Sequence, residues 1–291
     1  MGQVPSRKMS TDLSIMRRLP FLHSLCALLF LLVLCSAVFY EAIFPPVSGW
    51  VLSRPEGDVG TLYYYWRAFG FSELGKGTLP LWNPLVLCGT PFAAYPESAL
   101  FYPPNLAFLF LPVAAAINSS FLLHLLLLAL SQYLFLRKLR LGAFPALLGA
   151  SALALSAPVV LHVHAGHLSN VCALSWVPLV FLCLEDFLLR RRVLSAACAG
   201  GLAGLQLLSG HAQYVYYTLL AGSLYLVLGP ALDFPSWRGR LPRWLLGVSA
   251  FFLFAAGLSA VQALPAAEVS RESFRRSAEI SWAANFSLPP L

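Results

Sequence analysis

Charge is what this 291-residue sequence has least of. Only 11% of its residues are Asp, Glu, Lys or Arg, against about 25% in an ordinary soluble domain, while 59% are hydrophobic. So little charge cannot cover the surface of a water-soluble globule, which excludes that class. Metal-type cysteine spacing is absent as well. None of the 6 cysteines stands in a C-x-x-C pair, which removes zinc-ribbon and thioredoxin-like sites. Cys26, Cys35, Cys183 and Cys198 lie in or beside apolar runs, where a thiol behaves as a small hydrophobe. Cys88 and Cys172 supply no disulfide framework, and no disulfide is expected. No basic and aromatic nucleic-acid motif accompanies the net charge of +7, so that charge has another origin.

What the chain does have is long apolar sequence. Several windows of roughly 18 or more residues are long enough to cross a hydrocarbon core about 30 Å thick. They are continuous and rich in Leu and Ala, not alternating, so they read as helices and not as barrel strands. The expected fold is an all-α polytopic membrane protein of about seven transmembrane helices with a large first external loop. Residues 1–19 read as a basic cytoplasmic N-terminus, 20–43 as the first transmembrane helix and 44–105 as the external loop. Helices two to seven occupy 106–264, near 106–136, 144–161, 171–189, 193–209, 214–229 and 244–264. Residues 265–291 read as an external segment, and the chain's end inside it is read as a truncation.

The first run is longer than the roughly 7 to 15 residues of a signal-peptide core, and no small-residue cleavage site precedes Glu41. It is therefore expected to stay as a helix. The basic clusters explain the net charge: Arg7, Lys8, Arg17 and Arg18; Arg137, Lys138 and Arg140; Arg190 to Arg192; Arg238, Arg240 and Arg243. With seven crossings they all fall on one side, as positively charged loops do on the cytoplasmic side. Near mid-span the only ionisable residue is His124, whereas ion-coupled carriers usually bury more such groups.

Polar chemistry gathers on the other side. The stretch "EGDVGTLYYYW" holds Glu56, Asp58, Tyr63 to Trp66 and then Arg67; "LPLWNP" holds Trp82 and Asn83; "YPES" holds Glu97. Between helices stand His162, His164, His167 and Asn170, then His211 and Gln213, and near the end Glu268, Arg271, Arg275 and Arg276. Each has a plain structural reading. Tyr and Trp beside a membrane form interfacial belts, Pro and Asn fix tight turns, and Asp58 would cap a helix starting near Thr61. The four histidines match no established zinc spacing, and no metal ligands are assigned. No cofactor is indicated; a divalent metal stays open.

The order of these motifs resembles the YfhO family of bacterial membrane proteins. A first helix is followed by "GD" with "YYYW", then "LPLWNP", "CGTPFAAYP", "FYPPN", "HAGH" and "GHAQ", covering about Pro20 to the end. That family is similar to the GT-C superfamily of lipid-linked-sugar glycosyltransferases. The resemblance implies a bacterial inner-membrane, multi-pass protein with its N-terminus in the cytoplasm. It implies transfer of a sugar from a polyprenyl-phosphate donor to a glycan, lipid or protein acceptor of the cell envelope. Asp58 would be the general base. Glu56, Tyr64, Trp66, Arg67, Trp82, Asn83, Glu97, His164, His167, His211 and Gln213 would line the substrate site. Membrane lipids are the other expected partners, and nucleic acid is not one. The alternative is a non-enzymatic membrane protein, lipid-binding, structural or transporter-like, with a degenerate site.

Overall fold

The computed structural model describes residues 25–231 and 241–273, and these are mostly helical. Helix α1 covers Leu25–Val38 and gives way to a short 3-10 turn, Tyr40–Ala42, so this helix ends earlier than residue 43. A wide π-type turn, Val59–Tyr63, runs directly into α2, Tyr64–Gly75. A two-residue hairpin follows, with β1 (Trp82–Asn83) antiparallel to β2 (Thr90–Pro91) in the register Trp82 with Pro91. The main helices are α3, Val113–Lys138; α4, Ala143–Ala154; α5, Ala157–Ala165; and α6, Leu168–Arg190. Then come α7, Val193–Leu208; α8, Ala212–Ala231; and α9, Leu241–Glu272. The basic N-terminus, Arg238, Arg240 and the segment beyond Ser273, with Arg275 and Arg276, lie outside the described residues.

Among the described residues, four stretches are long and apolar enough to cross a membrane: Val113–Lys138, Ala143–Ala165, Leu168–Arg190 and Leu241–Glu272. The second is α4 and α5 in series. Ser156 between them is extended and proline occupies the first turn of α5, where its missing N–H costs nothing but ends the preceding hydrogen-bond ladder. Two departures from the sequence reading follow from proline and glycine. The apolar run from 106 is a 3-10 helix, Pro103–Leu109, and α3 begins only after Pro112. Helix α5 continues to Ala165 and is stopped by Gly166 at φ +78°, so His162 and His164 lie in its last turn and not in a loop.

Helices α3, α6, α7 and α9 pack in that order side by side. Between α7 and α9 the approach is close because Gly200 and Gly204 have no side chain. A Cβ on Gly200 would lie 2.1 Å from the carbonyl oxygen of Phe251, the small-residue packing by which helices associate in apolar surroundings. Buried His124 on α3 is satisfied without charge. Its Nδ1 donates to the Ser120 carbonyl at 2.6 Å, and its Nε2 accepts from the Tyr102 hydroxyl at 2.6 Å. That hydroxyl in turn accepts from Trp176 Nε1 at 2.7 Å. The donors and acceptors balance only for the neutral tautomer with its proton on Nδ1.

The long connection between α1 and α3 is a folded cap. Val59, Tyr63, Phe71, Ala99, Tyr102 and Phe108 from it join Ile117, Phe121, Val163, Leu168 and Val171 of the helices in one buried cluster. Two buried asparagines tie it down. Asn118 of α3 accepts from the Leu52 N–H at 2.8 Å and donates to the Trp50 carbonyl at 2.9 Å. Asn105 donates to the carbonyl of Ala99, a residue held at φ +41°. The asparagine of "FYPPN" therefore serves as a strap between two turns.

Candidate functional site

The carboxylate that stands out in the sequence sits where two glycine turns meet back to back. A Cβ on Gly57 would come within 2.5 Å of the Ala165 carbonyl oxygen, and one on Gly166 within 2.8 Å of the Val59 nitrogen. Only glycine at both positions lets the Gly57–Asp58 turn lie flat on the end of α5. Asp58 itself has helical dihedrals and makes no capping hydrogen bond, so it is not the cap of the helix that follows. Its side chain is 51% exposed, with Oδ2 3.5 Å from His167 Nε2.

Behind Asp58 runs a chain of rings. His167 Nδ1 is 2.9 Å from His162 Nδ1, and His162 Nε2 is 3.2 Å from the Tyr214 hydroxyl. With both imidazoles neutral, one directional assignment satisfies every atom. Tyr214 donates to His162 Nε2, His162 Nδ1 donates to His167 Nδ1, and His167 Nε2 points its proton at Asp58. The chain thus fixes the His167 ring so that its Nε2 proton faces the carboxylate. The His211 ring lies 5.0 Å from that of Tyr214. Burial, and then the nearby His162 and His167, pull the His211 pKa below the usual histidine value.

One helical turn on, Tyr63 and Arg67 anchor the cap. The Tyr63 hydroxyl pairs with Ser169 Oγ of α6. Arg67 is 1% exposed, its Nη1 donates to the carbonyls of Glu97 (2.8 Å) and Ser98, and its guanidinium lies 5.6 Å from the Tyr63 ring centroid. Burial lowers the Arg67 pKa to about 10, so it stays a cation at neutral pH. Burial likewise pushes Tyr63 up to about 12, against the opposing pull of Ser169 and Arg67. Arg67 is therefore committed to holding the Glu97 turn, and its Nε has no partner.

That turn borders a cavity of about 830 Å³ between the cap and the end of α9. Trp66, Tyr95, Glu97, Ser270 and Arg271 line it together with Leu62 of the Asp58 turn. Trp66 and Tyr95 meet edge to face at 5.7 Å. Nearby, Gln262 ties α9 to the cap by donating from Nε2 to the carbonyls of Ala93 (3.0 Å) and Ala94 (3.1 Å).

The structure gathers Asp58, His167 and His211 at one end of the bundle and Trp66 and Glu97 at the cavity beside them. Other expected residues go elsewhere. Glu56 is exposed ahead of the turn, and Tyr64 packs against the buried cluster. Trp82 covers Gly89 in the hairpin, while buried Asn83 accepts from the Leu85 N–H. His164 faces a second, smaller cavity, and Gln213 donates to Tyr217 on the exposed side of α8. Tyr214, Tyr95, Ser169 and Gln262 escaped sequence reasoning. Tyr214, three residues past His211, carried the one usable signal.

Among the described residues no group of three or more His, Cys, Asp or Glu is gathered so as to hold a metal ion. No protein-family model matches the chain, and no curated protein matches it in sequence.

Proposed function

We propose that the protein is a membrane glycosyltransferase of GT-C type, related to the YfhO family, which moves a sugar from a polyprenyl-phosphate donor to an envelope acceptor. In this reading seven helices cross the bacterial inner membrane, the N-terminus is cytoplasmic, and residues 44–105 cap the external face. The observation that carries it is Asp58: a half-exposed carboxylate, not used as a helix cap, 3.5 Å from His167 on a turn docked through two glycines.

The chemistry asks for few groups. An acceptor hydroxyl attacks the anomeric carbon, the bond from that carbon to the phosphate oxygen breaks, and the polyprenyl phosphate leaves with the bonding pair. Asp58 takes the hydroxyl proton, ordinary general-base work when carboxylate and hydroxyl come within hydrogen-bond reach. His167 is a positioning residue that keeps the carboxylate aimed. Trp66 and Tyr95 offer flat apolar faces to a sugar ring, and Arg271 offers a cation to the phosphate whose charge grows as it departs.

The test is transfer from a radiolabelled polyprenyl-phosphate sugar by detergent-purified protein, beside native mass spectrometry of co-purifying lipids. A transferase loses turnover on Asp58→Asn while retaining the polyprenyl phosphate. If wild-type protein carries only ordinary phospholipids and transfers nothing, the non-enzymatic alternative replaces this reading.

A further inference from the structure

On the far side of the Asp58 turn lies a separate cavity of about 410 Å³, between the end of α1 and the last turns of α5. Its walls include Glu41, Trp50, Arg54 and His164, over an apolar floor of Phe39 and Val163. The walls are built, not loose. The Trp50 carbonyl and the Leu52 N–H are both held by buried Asn118, and the Arg54 N–H donates to the His164 carbonyl at 2.9 Å. Yet the charges are unspent. Neither Glu41 nor Arg54 forms an ion pair with any described residue, although both line the same small space. Apolar Val160 lines its edge, and Ile43, Phe44 and Leu161, close in sequence to lining residues, are exposed.

We infer that this cavity binds the headgroup of a zwitterionic phospholipid bearing a primary amine, of phosphoethanolamine type. The guanidinium of Arg54 suits the two oxygens of a phosphodiester, and His164 adds a further donor. Glu41 accepts from the ammonium, which a purely anionic lipid could not supply. A carboxylate beside an arginine-bound phosphate is repulsive unless the ligand itself brings a positive charge. The exposed apolar rim fits acyl chains, and the cavity lies where two apolar helices end, at the height of a headgroup. The inference requires only that the helices stand in a bilayer, and it is independent of sugar transfer.

The experiment equilibrates detergent-purified protein with short-chain phosphatidylethanolamine, phosphatidylglycerol or phosphatidylcholine and counts retained lipids by native mass spectrometry. Soluble glycerophosphoethanolamine serves as a fourth arm. Wild type should prefer the ethanolamine lipid to the other two. Arg54→Gln should weaken ethanolamine-lipid retention by about tenfold or more, as expected for a lost charge-assisted hydrogen bond. Glu41→Gln should abolish the preference over phosphatidylglycerol while leaving the protein's melting temperature in place. Equal retention of all three lipids by wild type, or preferences unchanged in both variants, overturns the site. Binding of the soluble headgroup as tight as that of the lipid overturns its assignment to a membrane ligand.

Discussion

The two ends of α6 handle charge in opposite ways. At its C-terminal end Asp186 is saturated: Lys138 of α3 pairs with it, Arg190 reaches it at 3.2 Å, and Ser195 of α7 donates to it at 2.6 Å. About 28 Å away along the helix axis, Asp58 faces a single imidazole at 3.5 Å and is half exposed. Both carboxylates sit where helices meet. The first joins three helices and has no capacity left for a ligand, whereas the second keeps most of its acceptor sites open. A saturated carboxylate is spent on architecture, whereas an open one in a rigid mount is free for the general-base role proposed for it.

The sharpest break of that contrast is Asp58→Asn. Transfer should fall by about 10²- to 10⁴-fold, the usual worth of a general base, with thermal unfolding close to wild type. An equal loss of stability would make Asp58 another structural joint. Next in size is Arg67→Met, which removes the donor to two carbonyls in the cap. Each orphaned buried acceptor costs about 1–3 kcal/mol, so a melting-temperature drop of several degrees should appear in a detergent unfolding assay. Asp186→Asn should cost less, about 1 kcal/mol, because Lys138 and Arg190 reach solvent once released. Its transfer rate per folded molecule should not change.

The smallest effect concerns pH. His211 has its folded pKa below the ordinary value of 6.5, so folding favours its neutral form. Its contribution is whole above about pH 6.5 and is lost as pH falls through the lower folded pKa. Melting curves between pH 7.5 and about pH 5 should therefore show a decline that is shallower in His211→Gln. An identical decline in both would place the acid sensitivity elsewhere.

How much of this was legible follows from the range of the forces. The apolar stretches were plain because span length is a local property, and α6, expected near 171–189, runs Leu168–Arg190. "GD" could be singled out because glycine beside a carboxylate is locally odd. What it docks against could not be read, since Gly166 lies over 100 residues away and only packing brings the two turns together. Arg67 reads from the sequence as part of the substrate site because burial has no local signature. Enclosed, its guanidinium is consumed by backbone carbonyls. His164 and His167 are close in sequence but part company, because α5 turns one toward the second cavity before Gly166 redirects the chain toward the other.

Gln262 carries a consequence in time as well as space. Its amide grips the carbonyls of Ala93 and Ala94, partners 169 and 168 residues earlier in the chain. At ordinary synthesis rates the ribosome needs on the order of ten seconds to cover that interval. Throughout it, the cap and the early helices exist without the wall that α9 supplies. The larger cavity therefore cannot be assembled before α9 has been made, and a nascent chain stalled before residue 262 carries Asp58 but not the enclosure beside it.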